Sequence, residues 1–184
     1  MSSGRVGIGF DAHPFAEGRA LRLGGVVIPH PRGLVGHSDG DVLLHALADA
    51  ILGASGSGSL GEHFPDDEEA LAGADSSLFL RRARELAAEK GFSIGNADAV
   101  VIAESPKIAP HGHSIRESVA RILGVDEASI SVRGTSSNGL GFPGREEGIA
   151  AIAVVLLVTS ERPLDAAESE QTAAPQQPKA KSAK

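Results

Sequence analysis

Apolar residues alternate with small or polar ones from Arg5 to Phe10, which predicts a first β-strand. Leu21 to Ile28 predicts a second, with Gly24-Gly25 inside it. Glu17-Gly18 lies in the intervening turn region, so these two strands are expected to pair as a hairpin. The period then lengthens. Between Asp39 and Leu52, the residues Leu43, Leu44, Leu47, Ile51 and Leu52 share a helical face, with Ser38 or Asp39 as the cap. Gly53 to Gly61 reads as loop, and so does Phe64 to Asp75. A second helix spans Ser76 to Glu89, burying Phe79, Ala83, Leu86 and Ala87 and ending at Gly91. Ala97 to Ala103 is an apolar strand, and a third helix runs from His111 or Gly112 to Leu123. Ser129 to Gly134 and Gly148 to Val158 complete the strands, the latter apolar enough to be buried on both faces.

This order predicts an α/β (α+β) domain over residues 1–160: a two-layer fold with a mixed β-sheet covered on one face by about three helices. A sheet this apolar needs a second cover, and an oligomer is the natural one. From about Pro163 the chain turns to Ala, Gln, Glu, Pro and Lys without apolar periodicity, so residues 161–184 are expected to form a disordered tail.

Composition narrows the chemistry. The chain has no cysteine, so a transition metal here must be held by imidazole and carboxylate. The formal charge of −7 argues against nucleic acid as a partner, and six Phe with no Tyr or Trp leave little for base stacking. No run approaches a membrane span, and Met1 to Phe10 lacks the apolar segment of a secretory signal. A cytoplasmic protein is the default expectation.

Asp11-Ala12-His13 follows on the first strand, where residues two apart point to the same side. His37-Ser38-Asp39-Gly40-Asp41 leads into the first helix, and Asp41, His45 and Asp49 are spaced to share a face of it, orienting His45. No Lys or Arg occurs from His37 to Leu80, so these acids and histidines have no local cation, which favours a metal. Asp11, His13 and His45 around an open fourth position have the make-up of a catalytic zinc site. His37 is an alternative ligand that spacing does not separate. Gly134 to Arg145 offers hydroxyls, backbone N–H groups and an arginine to phosphate oxygens. Ala103 to His111, with two prolines, leaves backbone groups free for a ligand.

Taken together and in order, Gly9-Phe10-Asp11-Ala12-His13, His37-Ser38-Asp39-Gly40-Asp41 with His45, Phe64-Pro65-Asp66, Pro106-Lys107 and Gly144-Arg145-Glu146-Glu147-Gly148 resemble the 2-C-methyl-D-erythritol 2,4-cyclodiphosphate synthases of the non-mevalonate isoprenoid pathway. The resemblance runs from about Val6 to Leu157. It implies a homotrimer with active sites between subunits and one Zn²⁺ per subunit on Asp11, His13 and His45. The implied substrate is 4-diphosphocytidyl-2-C-methyl-D-erythritol 2-phosphate, whose 2-phosphate attacks the β-phosphorus and releases CMP. His37 and Ser136 are the implied catalytic residues.

The same resemblance places Asp11, Ala12, His13, His37, Ser38, Leu60 and Gly61 against the substrate, with Ser59 on the ribose side. Phe64, Pro65, Asp66, Asp67 and Glu68 would line the erythritol pocket. Ala103, Pro106, Lys107, Ile108 and Ala109 would hold the cytosine. Thr135, Ser136, Ser137, Asn138, Phe142 and Arg145 would face the diphosphate. Two positions depart from the family pattern. Asn138 stands where an acid usually helps bind a second divalent ion such as Mg²⁺, and Ser59 where an Asp usually accepts from ribose. Two other readings stay open: a zinc-binding relative of little or no cyclase activity that binds an isoprenoid diphosphate through Arg145 and Glu147, and a zinc hydrolase with His37 or Asp66 as general base.

Overall fold

Alternation in the N-terminal strand decides how the layers meet. The computed structural model of the chain describes residues 4–64 and 73–160. Pro65, Asp66, Asp67, Glu68 and the segment from 161 onward lie outside the described residues. The elements are β1 (Gly4–Glu17), β2 (Leu21–Leu23), β3 (Val26–Ile28), β4 (Arg32–Leu34), α1 (Val42–Ser55), α2 (Leu60–His63), α3 (Ser77–Glu89), β5 (Phe92–Ile102), α4 (Gly112–Leu123), β6 (Ile130–Thr135), α5 (Gly141–Gly144) and β7 (Gly148–Thr159). Five strands form one mixed sheet in the order β4-β1-β7-β5-β6, with β5 and β6 parallel and the other pairs antiparallel. The three long helices α1, α3 and α4 pack against it, as the hydrophobic pattern predicts.

Four local expectations are corrected. Leu21 to Ile28 is a tight hairpin of its own, β2 against β3. Gly24 and Gly25 both have positive φ (63° and 78°), so they form the two-residue turn that matches strand twist, not the interior of one strand. β1 therefore does not pair with it. β1 pairs with β7 from Gly4 to Pro14 and then with β4 from Phe15 to Glu17. The strand thus continues through Asp11 and His13 and beyond them. Finally, α1 is capped by Asp41, which accepts from Leu44 N–H at 3.1 Å. Asp41 also accepts from Gly24 N–H at 2.9 Å and Gly25 N–H at 2.7 Å, which ties the hairpin turn to the helix start. Burial pushes its carboxyl pKa up, against the three backbone donors that pull it down. Gly53 to Ser55 also belong to α1, and Leu60 and Gly61 to the single turn α2, so the loop expected between Gly53 and Gly61 shortens to residues 56–59.

In β1, Gly7 and Gly9 point toward α1, while Val6, Ile8 and Phe10 point the other way and are exposed. A Cβ on Gly7 would collide with the Ala50 carbonyl oxygen, and one on Gly9 with that of Ala46. Helix and strand therefore meet backbone to backbone, and Ala46, Ala50 and Ala54 on the helix allow it. Leu43, Leu44, Leu47 and Ile51 fill the core beside this contact. The other sheet face presents Val6, Ile8, Phe10, Ile152 and Val154 to solvent. No helix among the described residues is long and apolar enough to cross a membrane.

Gly9→Ala is expected to destabilise the fold by about 3 kcal/mol, because the clash is with backbone that cannot rotate away. Urea denaturation checks this, and a change below about 1 kcal/mol would contradict the backbone contact.

Candidate active site

The close approach of α1 carries His45, next to Ala46, onto the same side of β1 as Asp11 and His13. Asp11 and His13 converge because they are two residues apart in an extended strand. The contact atoms form a near-equilateral triangle. Asp11 Oδ2 lies 2.8 Å from His13 Nε2 and 3.0 Å from His45 Nδ1, and the two nitrogens are 3.1 Å apart. Protons cannot satisfy all three edges. If both imidazoles donate to the carboxylate, their N–H groups leave no acceptor on the third edge. One cation facing all three lone pairs does satisfy them, and a tetrahedral zinc with about 2.0 Å bonds has ligand–ligand edges of about 3.3 Å. The residues present therefore fit a metal ion of this kind. Among the described residues this is the cluster able to hold one, and His37 is not part of it.

Burial would raise the Asp11 carboxyl pKa, but hydrogen bonds and charge from His13 and His45 hold it well below the usual carboxylate range. On its far side, His45 Nε2 lies 3.1 Å from Ser38 Oγ and 3.0 Å from Ser76 Oγ. Asp41 and Asp49 do not flank His45 as their helical spacing suggests. Asp41 is spent on the helix cap, and Asp49 accepts from Leu60 N–H at 3.2 Å. Nor is the neighbourhood without cations. Arg19 donates to the Gly36 and Ser38 carbonyls and Arg22 stands 3.9 Å from Asp39, both arriving from earlier in the chain. Neither is a partner of Asp11.

The triangle opens on a cleft of about 640 Å³ lined also by His37, Ser38, Ser59, Leu60, Gly61 and Phe64. Ala103, Lys107, Ile108, Ala109, Thr135 and Ser136 line a second hollow of about 240 Å³. The two lie at the same level of the sheet, since Ala12 is in register with Ala150, Ala150 with Ile102 and Ile102 with Thr135. Three strand spacings, about 14 Å, separate them. Ala12, Pro106, Ser137, Asn138, Phe142 and Arg145 line neither cavity. Arg145 is exposed and forms a two-pronged ion pair with Glu147, at 2.9 and 3.0 Å.

Three features escaped the sequence reading. Glu104 Oε1 accepts from Ser137 N–H at 3.0 Å and Gly139 N–H at 3.1 Å, so it staples the 136–139 loop. The Gly139 N–H bond, with those of Ser137 and the charge of Lys107, lowers the Glu104 pKa despite some desolvation. Its partners are 33 and 35 residues away, beyond any local spacing rule. Asn138 has φ of 54°, a left-handed conformation that Asn tolerates better than most side chains. Ser59 directs both N–H (3.2 Å) and hydroxyl (3.0 Å) to Glu62 Oε1, so a carboxylate stands beside the position that lacks one.

A helix-covered mixed sheet carrying an aspartate–histidine–histidine cluster able to hold a metal ion defines an α/β protein with a candidate metal centre. Comparison with known proteins makes the class specific. The YgbB family profile matches residues 4–158. A 2-C-methyl-D-erythritol 2,4-cyclodiphosphate synthase of Shouchella clausii is 54% identical over 157 residues, covering 85% of this chain and 99% of that one. Among solved structures, the bifunctional IspDF of Campylobacter jejuni superposes with a TM-score of 0.83 at 42% identity, covering 86% of this chain and 43% of that one. A CDP complex of Plasmodium falciparum IspF superposes with a TM-score of 0.75 at 37% identity, over 87% of this chain and 99% of that one. The chain belongs to the YgbB family, the family of these cyclodiphosphate synthases.

The Glu104 staple has a pH sign. With its folded pKa lowered from the usual 4.5, its contribution is complete above that value and fades as pH falls through the depressed one. Hydrogen exchange at Ser137 and Gly139 is expected to be slow at neutral pH and to lose protection as pH falls through the depressed value, below the usual glutamate range. Glu104→Ala should abolish that protection at neutral pH; unchanged exchange would contradict the staple.

Proposed function

We propose that the metal cleft of one subunit and the smaller hollow of a neighbour together form one cyclodiphosphate synthase site. The chain converts 4-diphosphocytidyl-2-C-methyl-D-erythritol 2-phosphate to 2-C-methyl-D-erythritol 2,4-cyclodiphosphate. A 2-phosphate oxygen bonds to the β-phosphorus, the bond from that phosphorus to the α–β bridging oxygen breaks, and CMP leaves. The observation that carries this reading is the triangle of Asp11, His13 and His45 opening on a cleft.

Zn²⁺ suits these donors, and when bound it supplies Lewis-acid polarisation of the β-phosphate. The remaining task is positioning and charge placement. His37, exposed at the cleft wall beside Ser38, holds the 2-phosphate, and with Ser136 it stabilises charge developing at phosphorus. Leu60, Gly61 and Phe64 exclude water around the methylerythritol carbons. Ala103, Lys107, Ile108 and Ala109 receive the cytidine, which accords with the CDP found in the Plasmodium falciparum relative. A second divalent ion such as Mg²⁺ would meet Asn138, a neutral oxygen already accepting from Ser136 Oγ at 3.3 Å, and so would be held weakly.

The same geometry favours a homotrimer. His37 and Ser136 line different cavities of one chain, so a single subunit does not bring them together. The exposed apolar residues Val6, Ile8, Phe10, Ile152 and Val154 form the face that would be covered in such an assembly.

The test is CMP release from the cytidine substrate, with zinc measured on the same sample. His45→Ala is expected to lose zinc and to lower turnover by about 100-fold or more. Asn138→Asp should raise activity at low Mg²⁺, whereas Asn138→Glu places a longer side chain in the left-handed region at a cost of about 1–2 kcal/mol. Zinc retained with no CMP formed at high Mg²⁺ would sink the cyclase reading in favour of a binding role.

A further inference from the structure

We propose that Ser76 is a positioning residue of the metal centre, completing an Asp39–Ser76–His45 hydrogen-bond chain that leaves His45 Nδ1 free as a ligand. This rests on the reading of Asp11, His13 and His45 as metal ligands.

Ser76 is fully buried, with its neighbour Ser38 2% exposed. Its position at the start of α3 would ordinarily explain a serine, because a hydroxyl there caps the first turn. It does not do so here. Ser76 has helical dihedrals and makes no side-chain capping bond, while Asp75 Oδ1 accepts from Ser77 N–H at 2.8 Å in its place. The Ser76 hydroxyl points away from its own helix toward the metal site. It is 2.5 Å from Asp39 Oδ1, 2.9 Å from Ser38 Oγ and 3.0 Å from His45 Nε2.

Counting protons gives this cluster one polarity. An ionised carboxylate only accepts, so Ser76 donates its O–H to Asp39. The Ser76 oxygen is then an acceptor for Ser38 O–H and for His45 Nε2–H. Ser38 oxygen accepts in turn from Gly40 N–H at 3.3 Å and shares the His45 proton at 3.1 Å. Every donor runs toward Asp39. His45 is therefore held with its proton on Nε2, which leaves the Nδ1 lone pair facing Asp11 and His13. Asp39 is itself fixed, accepting from Asp41 N–H at 3.2 Å and donating its own N–H to the Ala74 carbonyl at 3.0 Å. Gly73 N–H also bonds the His37 carbonyl at 2.6 Å, so residues 73–76 latch onto the loop that carries His37 and Ser38.

The experiment is zinc affinity by chelator competition on the full chain, compared among wild type, Ser76→Ala and Asp75→Ala. Ser76→Ala is expected to weaken zinc about 10–100-fold, the usual effect of losing a group that orients a ligand histidine. It should also turn the His45 Nε2–H of the zinc-loaded protein from a slowly exchanging NMR signal into a fast one. Asp75→Ala, which removes the actual cap, should lower the melting temperature and leave zinc affinity unchanged. Restoring the hydroxyl as Ser76→Thr should recover affinity. Equal zinc affinity in wild type and Ser76→Ala overturns the proposal, as does an equal loss in Asp75→Ala, which would trace the effect to the helix. A wild type that binds no zinc overturns instead the ligand assignment on which it rests. If Ser76→Ala does not fold, Asp39→Ala removes the end of the chain from the other side and must show the same loss.

Discussion

The contact on which the rest depends is the backbone-to-backbone packing of α1 on β1. Two glycines, Gly7 and Gly9, remove the side chains that would otherwise hold helix and strand apart. The first consequence is mechanical: α1 packs across β1 and β7 and seals the sheet's inner face with Leu43, Leu47 and Ile51. The second is chemical. At ordinary helix–sheet separation His45 would stand away from the strand; at this one it reaches Asp11 and His13. Core packing and ligand geometry are set by the same contact.

That contact creates an electrostatic demand. A carboxylate and two imidazoles within hydrogen-bond distance of one another are better satisfied by a cation than by protons. In a chain of net charge −7, the arginines that come near are used to brace the loop at Gly36, Ser38 and Asp39, not to neutralise Asp11. The acidic cap Asp41 lies close by but faces Gly24, Gly25 and Leu44. Each acid has a separate employment, and Asp11 is left to the histidines.

The sheet then divides the labour of the proposed site. Its inner face and the end near β1 carry the metal cleft, while the end near β6 carries the hollow with Lys107 and Ser136. The two are aligned in register yet about 14 Å apart, a distance one strand-bound subunit cannot close. The apolar outer face offers a physical reason to associate, and in the proposed trimer association is also what completes the site.

Much of this was legible along the chain. Helical spacing located α1, α3 and α4, and the residues Asp11, His13 and His45 stood out because a cysteine-free chain has only imidazole and carboxylate for a metal. Short-range patterns report short-range geometry, so they also misled. They made one strand of the β2–β3 hairpin, capped α1 two or three residues early, and assigned Asp41 and Asp49 to His45. The partners of those acids, Gly24 and Leu60, are set by how separate elements pack. What the sequence determined by itself was the three long helices, the main strands β1, β5, β6 and β7, and the ligand types, since all follow from residue chemistry and local period. What only the tertiary structure decided was who faces whom: Glu104 on the 136–139 loop, Ser38 and Ser76 on His45, and His37 kept outside the metal triangle. Those choices depend on strand register and on how closely a helix can approach two glycines.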